Sequence, residues 1–232
     1  MSINFLLDSA DPKIWDECFK SGIFKGITTN PTLLKQANQP CNIDNLKMLA
    51  EKAERLGCKQ LHLQVWGEEQ EEIIRTGTAL SKFSSSHMEV FVKVPITKTG
   101  TIAAKELIDK NIPITFTACY KAKQVLIAAS LGSHFIAPYL GRINDQGTKG
   151  IKEITAMNKI LKGVESNCEI LVASIRSVKD INRLSSTGLK YFTINPKIAI
   201  SIFKNKTTEN AALVFEDDAK NYQSQNHTLG IY

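Results

Sequence analysis

Long apolar runs are missing from this chain. Stretches such as Val125–Ser130 and Ile170–Ser174 fall far short of the ~20 residues that a membrane-crossing helix needs. Met1-Ser2-Ile3-Asn4-Phe5 has no basic segment leading into an apolar one, so no secretory signal and a cytoplasmic protein are expected. The cysteines, Cys18, Cys41, Cys58, Cys119 and Cys168, are odd in number and include no C-x-x-C pair. They read as reduced thiols, not as a disulfide framework or a metal site. His62, His87, His134 and His227 stand far apart without metal-ligand spacing, so neither a bound metal nor a locally readable catalytic triad is expected. The formal charge is +6, yet no run of five or six basic residues occurs and no basic stretch alternates with aromatics. Nucleic-acid binding is therefore not expected, while a mild positive field suits an anionic small substrate.

What is present is alternation. With 232 residues, 43% of them hydrophobic, the chain has enough apolar material for one sizeable core. Eight runs rich in Ile, Val, Phe or Leu read as strands buried on both faces: Ile3–Leu7, Lys25–Thr29, Leu61–Val65, Val90–Ile96, Pro113–Thr117, His134–Tyr139, Glu169–Ser174 and Lys190–Ile194. Amphipathic segments lie between them. Cys41–Gly57, Tyr120–Gly132 and Lys149–Gly163 carry apolar residues at three- and four-residue steps; these three, like Asp11–Gly22 and Val178–Gly188, end at glycine. Strict alternation predicts an α/β protein, a single (β/α)8 barrel over residues 1–232. A doubly wound open sheet is the alternative, but the first strand runs into Asp8-Ser9-Ala10-Asp11-Pro12 with no glycine fingerprint. Residues 206–232 outlast the eighth unit and read as an extra C-terminal helix and tail, which would cap the barrel or pack on a neighbouring subunit.

Chemistry in such barrels sits at the C-terminal ends of the strands. The polar residues there are Asp8, Thr28, Thr29, Asn30, Gln64, Lys93, Thr115, Thr117, Tyr139, Arg142, Ser174, Arg176 and Asn195. Lys93 is the sole charge within Val90-Phe91-Val92-Lys93-Val94-Pro95. If Val90, Val92 and Val94 face the helices, alternation turns Lys93 inward with Phe91. The competing reading is an edge lysine snorkelling to water, which a closed barrel does not offer. A desolvated amine is more easily neutral, and the neutral amine is the nucleophile that condenses with a ketone. Asp8 is either a proton shuttle beside that amine or one of three candidates, with Ser9 and Asp11, for capping the helix at Pro12. Gln64, Thr117 and Tyr139 are either structural hydrogen-bonders or the holders of a catalytic water. Ser174, Arg176 and Arg142 suit a phosphate, arginine by its fixed fork, although each arginine alone also reads as half of a surface ion pair.

Gly26-Ile27-Thr28-Thr29-Asn30-Pro31-Thr32-Leu33 resembles the G-[VI]-T-T-N-P-[ST]-[LI] signature of the transaldolase family, and Val92-Lys93-Val94-Pro95 its Schiff-base lysine motif. Ala137-Pro138-Tyr139-Leu140-Gly141-Arg142-Ile143 and Ala173-Ser174-Ile175-Arg176 are similar to its sixth- and seventh-strand segments. The short length resembles the compact branch, small transaldolases and fructose-6-phosphate aldolase. This resemblance implies a (β/α)8 barrel without metal or cofactor, acting on sugar phosphates as a homo-oligomeric pentamer or decamer. It implies Lys93 as the Schiff-base residue, Asp8 as the proton-transfer carboxylate, and Gln64, Thr117 and Tyr139 around the reacting centre. Thr28, Asn30, Thr115 and Ser174 are the expected substrate contacts, with Arg142 and Arg176 joining Ser174 at the phosphate. Gln64 and Tyr139 agree with the aldolase, whereas Thr115 and Arg176 agree better with transaldolases. A non-covalent sugar-phosphate isomerase or epimerase and a catalytically silent assembly barrel are the alternatives.

Overall fold

A computed structural model describes residues 2–225. Eight parallel strands close a barrel in chain order: β1 (Asn4–Asp8), β2 (Phe24–Thr28), β3 (Gln60–Gln64), β4 (Glu89–Pro95), β5 (Ile114–Cys119), β6 (Phe135–Pro138), β7 (Glu169–Val172) and β8 (Tyr191–Ile194), with β8 pairing back onto β1. Each is an expected strand with slightly different ends. The helices are α1 (Pro12–Phe19), α2 (Pro31–Gln36), α3 (Ile43–Arg55), α4 (Gln70–Ser81), α5 (Lys98–Asp109), α6 (Val125–Leu131), α7 (Leu140–Asp145), α8 (Gly150–Gly163), α9 (Val178–Ser185), α10 (Pro196–Phe203) and α11 (Lys206–Gln225). The fold is a (β/α)8 barrel. Among the described residues no helix is long and apolar enough to cross a membrane.

The chain divides into a unit that ends at Ala199 and contains the barrel, and a unit that begins at Ile200 and contains α11. Helix α11 falls where the sequence pattern puts a terminal helix, and its Leu213, Val214 and Phe215 are exposed. The tail expected beyond it lies outside the described residues.

Alternation along β4 sets the two faces of the barrel wall. Val92 faces outward, where α4 and α5 pack on it. A Cβ at Gly77 of α4 would lie 2.7 Å from Leu107 Cδ1 and 3.3 Å from Val92 Cγ1, so the missing side chain lets Leu107 and Val92 pack directly on the α4 backbone. Phe91 faces inward and joins Leu6, Phe135, Ala137 and Leu171, with Tyr191 against them, in an interior apolar layer. Each large side chain buried there contributes roughly 1.5–3 kcal/mol.

Two short helices depart from simple alternation. Both α2 and α7 sit in the loops that follow strands, after β2 and β6. Asn30 starts α2, its Oδ1 accepting from Leu33 N–H at 3.0 Å, and Pro31 occupies the first helical position, where its missing N–H costs nothing. The expected helix over Tyr120–Gly132 is instead a 3₁₀ turn at Ala122–Gln124 followed by α6. There the Gln124 side-chain oxygen accepts from both Tyr120 N–H and Lys121 N–H and tightens the entry.

Candidate active site

Lys93 is 4% exposed, turned into the barrel two residues above Phe91. Its Nζ donates to the carbonyl oxygen of Thr29 at 2.9 Å, a neutral partner and not a carboxylate. Register sets Lys93 between Gln64 of β3 and Thr115 of β5. It lines a cavity of about 280 Å³ together with Asp8, Asn30, Tyr139, Arg142, Ser174, Arg176 and Asn195.

Asp8 does not cap α1. That role belongs to Asp11, whose Oδ1 accepts from Lys13 N–H at 2.9 Å. Asp8 is thereby left at the barrel mouth, where Thr28 Oγ1 donates to its Oδ1 at 2.7 Å. Thr28 and Thr193 hydroxyls are 2.6 Å apart, and since Thr28 spends its proton on Asp8, Thr193 donates to Thr28. Burial pushes the Asp8 carboxyl above its usual value, against the opposing influence of Lys93, Thr28 and Arg142. A carboxyl with a raised pKa and a buried amine in one cavity wall are the ingredients of proton transfer beside a nucleophile.

Gln64 and Thr117 line an adjoining cavity of about 180 Å³ that shares Asn30, Thr32, Tyr139 and Arg142 with the first. Thr117 Oγ1 and Tyr139 Oη are 2.8 Å apart. Ala118, the next residue, has φ +56°, and Ser174 has φ +57°. These are left-handed conformations that non-glycine residues adopt at a cost of about 1–3 kcal/mol, and both occur in chain next to the cavities.

The two arginines are held differently. The Arg142 guanidinium lies 5.0 Å from the ring centroid of Tyr139, and the Tyr120 ring packs edge-on to Tyr139. Arg176 instead makes a bidentate pair with Asp145, Nη1 to Oδ1 and Nη2 to Oδ2, both at 2.6 Å. That hydrogen bonding holds the Asp145 carboxyl below its usual value.

The structure thus brings Lys93, Asp8, Gln64, Thr117, Tyr139, Asn30, Ser174, Arg142 and Arg176 around two joined cavities. It does not bring Thr28 or Thr115 to the cavity wall. Both are fully buried, Thr28 on Asp8 and Thr115 on His62, whose Nδ1 is 2.9 Å from Thr115 Oγ1. His62 itself has no role in the sequence reading. It stacks on Phe91 at 4.7 Å, and burial first, then the Lys93 charge, holds its imidazole well below the usual value. Nothing in the local sequence marks it, because its partners lie on other strands. Asn195 is among the polar strand ends of the sequence, but without an assigned role. Its Oδ1 accepts from Ile198 N–H at 3.0 Å, as Asn30 does for α2, so both asparagines keep their amide NH2 for the cavity. The signal was available: Asn30-Pro31 and Asn195-Pro196 are the same dipeptide after a strand. Among the described residues no group of three or more His, Cys, Asp or Glu side chains is placed to hold a metal ion.

Comparison with known proteins supports the fold and identifies the family. Among solved structures, a thiamine phosphate pyrophosphorylase from Pyrococcus furiosus superposes with a TM-score of 0.59 at 11% identity, covering 85% of this chain and 91% of that one. A mandelate oxidase gives a TM-score of 0.57 at 12% identity over 84% of this chain and 65% of that one. At such identities the likeness is one of fold alone. Sequence relatives are more informative. A probable transaldolase of Chelativorans sp. is 31% identical over 216 residues, 93% of this chain and 96% of the relative. Another from Phenylobacterium zucineum is 30% identical over 225 residues, 96% and 99% of the two chains. The family model described as transaldolase/fructose-6-phosphate aldolase matches residues 5–231. The chain belongs to the transaldolase/fructose-6-phosphate aldolase family.

Proposed function

We propose that the chain performs Schiff-base aldol chemistry on keto-sugar phosphates, with fructose 6-phosphate as the donor. The observation that carries this reading is the buried amine of Lys93, bonded to a neutral carbonyl in the wall of a polar cavity beside Asp8. The neutral amine adds to the ketone carbon C2, and loss of water leaves an iminium. Asp8 takes the proton of the C4 hydroxyl as the C3–C4 bond breaks. The bonding pair flows to the iminium nitrogen, a three-carbon aldehyde phosphate departs, and an enamine stays on Lys93. Arg142, Arg176 and Ser174 bind the phosphate, while Asn30 and Asn195 donate to sugar hydroxyls. Thr28 acts behind Asp8 by hydrogen-bonding it, and Thr193 by hydrogen-bonding Thr28, neither by touching substrate.

The enamine has two fates. Attack on an acceptor aldehyde makes the enzyme a transaldolase of pentose phosphate metabolism. Protonation and hydrolysis release dihydroxyacetone and make it an aldolase. The Thr117–Tyr139 hydroxyl pair is a suitable holder for the hydrolytic water, and Gln64 beside it cannot act as a carboxylate acid or base. Those features support release; the family names of the relatives support transfer. The isomerase reading needs a second base, and among the described lining residues of both cavities Asp8 is the one carboxylate, with no histidine beside it. We place the enzyme in the cytoplasm, where its free cysteines stay reduced, and read it as a homo-oligomer, supported by the exposed Leu213, Val214 and Phe215 of α11.

Borohydride reduction in the presence of fructose 6-phosphate should fix substrate mass on Lys93, and failure to trap an adduct would falsify the mechanism. Product analysis with and without erythrose 4-phosphate then separates the two fates. Sedoheptulose 7-phosphate marks transfer and free dihydroxyacetone marks release. Gln64→Glu should move the balance toward transfer; an unchanged ratio removes Gln64 from the explanation.

A further inference from the structure

Arg176 lines the cavity beside Lys93, yet the terminal edge of its guanidinium is already occupied. Both Nη atoms donate to the two carboxylate oxygens of Asp145 at 2.6 Å, the fork geometry with which arginine also grips a phosphate. The posture is supported from below. A Cβ on Gly141 would lie 2.7 Å from Arg176 Nε, 2.6 Å from the Ser174 carbonyl oxygen and 3.0 Å from Ser174 Oγ. Glycine there leaves room for the Arg176 stem and the strained Ser174 to lie against the start of α7. Asp145 ends the same short helix, three residues after Arg142. One helix therefore carries a cation for the cavity and an anion that ties up the second cation. The pair is half exposed, at 58% and 53%, so it is screened and readily exchanged.

Resting on the phosphate reading above, we propose that Asp145 is a built-in competitor for the substrate phosphate. In the empty site its carboxylate fills the Arg176 fork; an incoming phosphate dianion displaces it, and Arg176 turns its fork to the phosphate. The exchange sets specificity as well as posture. A phosphate dianion brings more charge and more acceptor oxygens than the carboxylate it replaces, whereas an uncharged sugar brings nothing that opens the pair. Arg142, held over the Tyr139 ring, is not tied in this way and supplies the first contact.

The test is titration calorimetry of the full-length protein with inorganic phosphate, comparing wild type, Arg142→Met, Arg176→Met, Asp145→Asn and the Asp145→Asn/Arg176→Met double variant. Asp145→Asn should bind phosphate about two- to fivefold more tightly, the scale of an exposed ion pair. Arg176→Met should bind it more weakly, and Asp145→Asn should change nothing further in that background. A gain that persists without Arg176 overturns the exchange, because it would be a general field effect of the lost charge. Unchanged or weaker binding in Asp145→Asn also overturns it, since Asp145 would then be only a strut. Wild-type protein that binds no phosphate, with Arg142→Met alike, removes the phosphate reading itself. A wild type that binds while Asp145→Asn fails to gain leaves that reading standing and removes only the exchange.

Discussion

Two layers of the barrel interior lie on the same strands and differ in chemistry. The lower holds Leu6, Phe91, Ala137, Leu171 and Tyr191, with Phe135 among them. Two residues further along the same strands stand Asp8, Lys93, Tyr139 and Ala173 in the cavity wall, with Thr193 buried behind them on Thr28. A step of two residues keeps the side chain on the inner face and advances it by roughly 7 Å. Over that step an apolar plug becomes a polar cavity wall. His62 and Thr115 mark the transition, a hydrogen-bonded pair whose ring lies flat on Phe91. The difference teaches a division of labour. The lower layer supplies burial, and the upper layer holds an amine and a carboxyl at an energetic cost that this burial offsets.

The comparison can be broken most severely at Lys93. Lys93→Met should lower turnover of fructose 6-phosphate by about 10³-fold or more and abolish the borohydride adduct, while thermal unfolding stays at or above the wild-type temperature. A variant that keeps its activity would place the chemistry elsewhere. Phe91→Ala attacks the other layer. It should cost about 3–5 kcal/mol in denaturant unfolding, with the lysine still trappable at low temperature. Loss of trapping without loss of stability would show that the layers are not separable as described.

Asp8→Asn sharpens the contrast within the upper layer. If Asp8 is the proposed proton acceptor, activity should fall about 10²-fold or more. Stability should behave oppositely. The folded carboxyl has its pKa above 3.8, so the fold opposes its ionised form. That penalty is fully present above the raised folded value, shrinks as pH falls through it, and vanishes below the unfolded value. Asn removes the penalty, so the variant should be at least as stable as wild type at pH 7, and its advantage should shrink on acidification. Unfolding curves at several pH values check this, and a variant destabilised at neutral pH would contradict it. The smallest effect belongs to the transition zone. His62→Phe with Thr115→Val removes both partners of one hydrogen bond and the unpaired His62 Nε2 together, and should change stability by about 1 kcal/mol or less. His62→Phe alone, which strands the Thr115 hydroxyl, should be the less stable of the two.

The strands were legible because those buried on both faces are written as short apolar runs, and a lone lysine in one of them has only two faces to choose from. The motifs around Thr28, Lys93, Tyr139 and Ser174 identified the family for the same local reason: each is continuous in the chain. Other features had no local signature. Asp8 could be told from a helix cap only once Asp11 was seen to take that role. The family resemblance makes Thr28 and Thr115 substrate contacts, yet both side chains are fully buried, with their hydroxyls held by Asp8 and His62.

By itself, then, the sequence determined the alternation of strands and helices and the placement of a lone lysine inside a buried strand, since both follow from periodicity and contiguous motifs. Tertiary structure alone decided the partners: Thr28 with Thr193 across 165 residues, His62 with Thr115 across 53, Arg176 with Asp145 across 31. Barrel closure and strand register create those neighbours, and neither is written at any one position of the chain. The lysine is readable where it stands, but what surrounds it exists only after β8 has met β1.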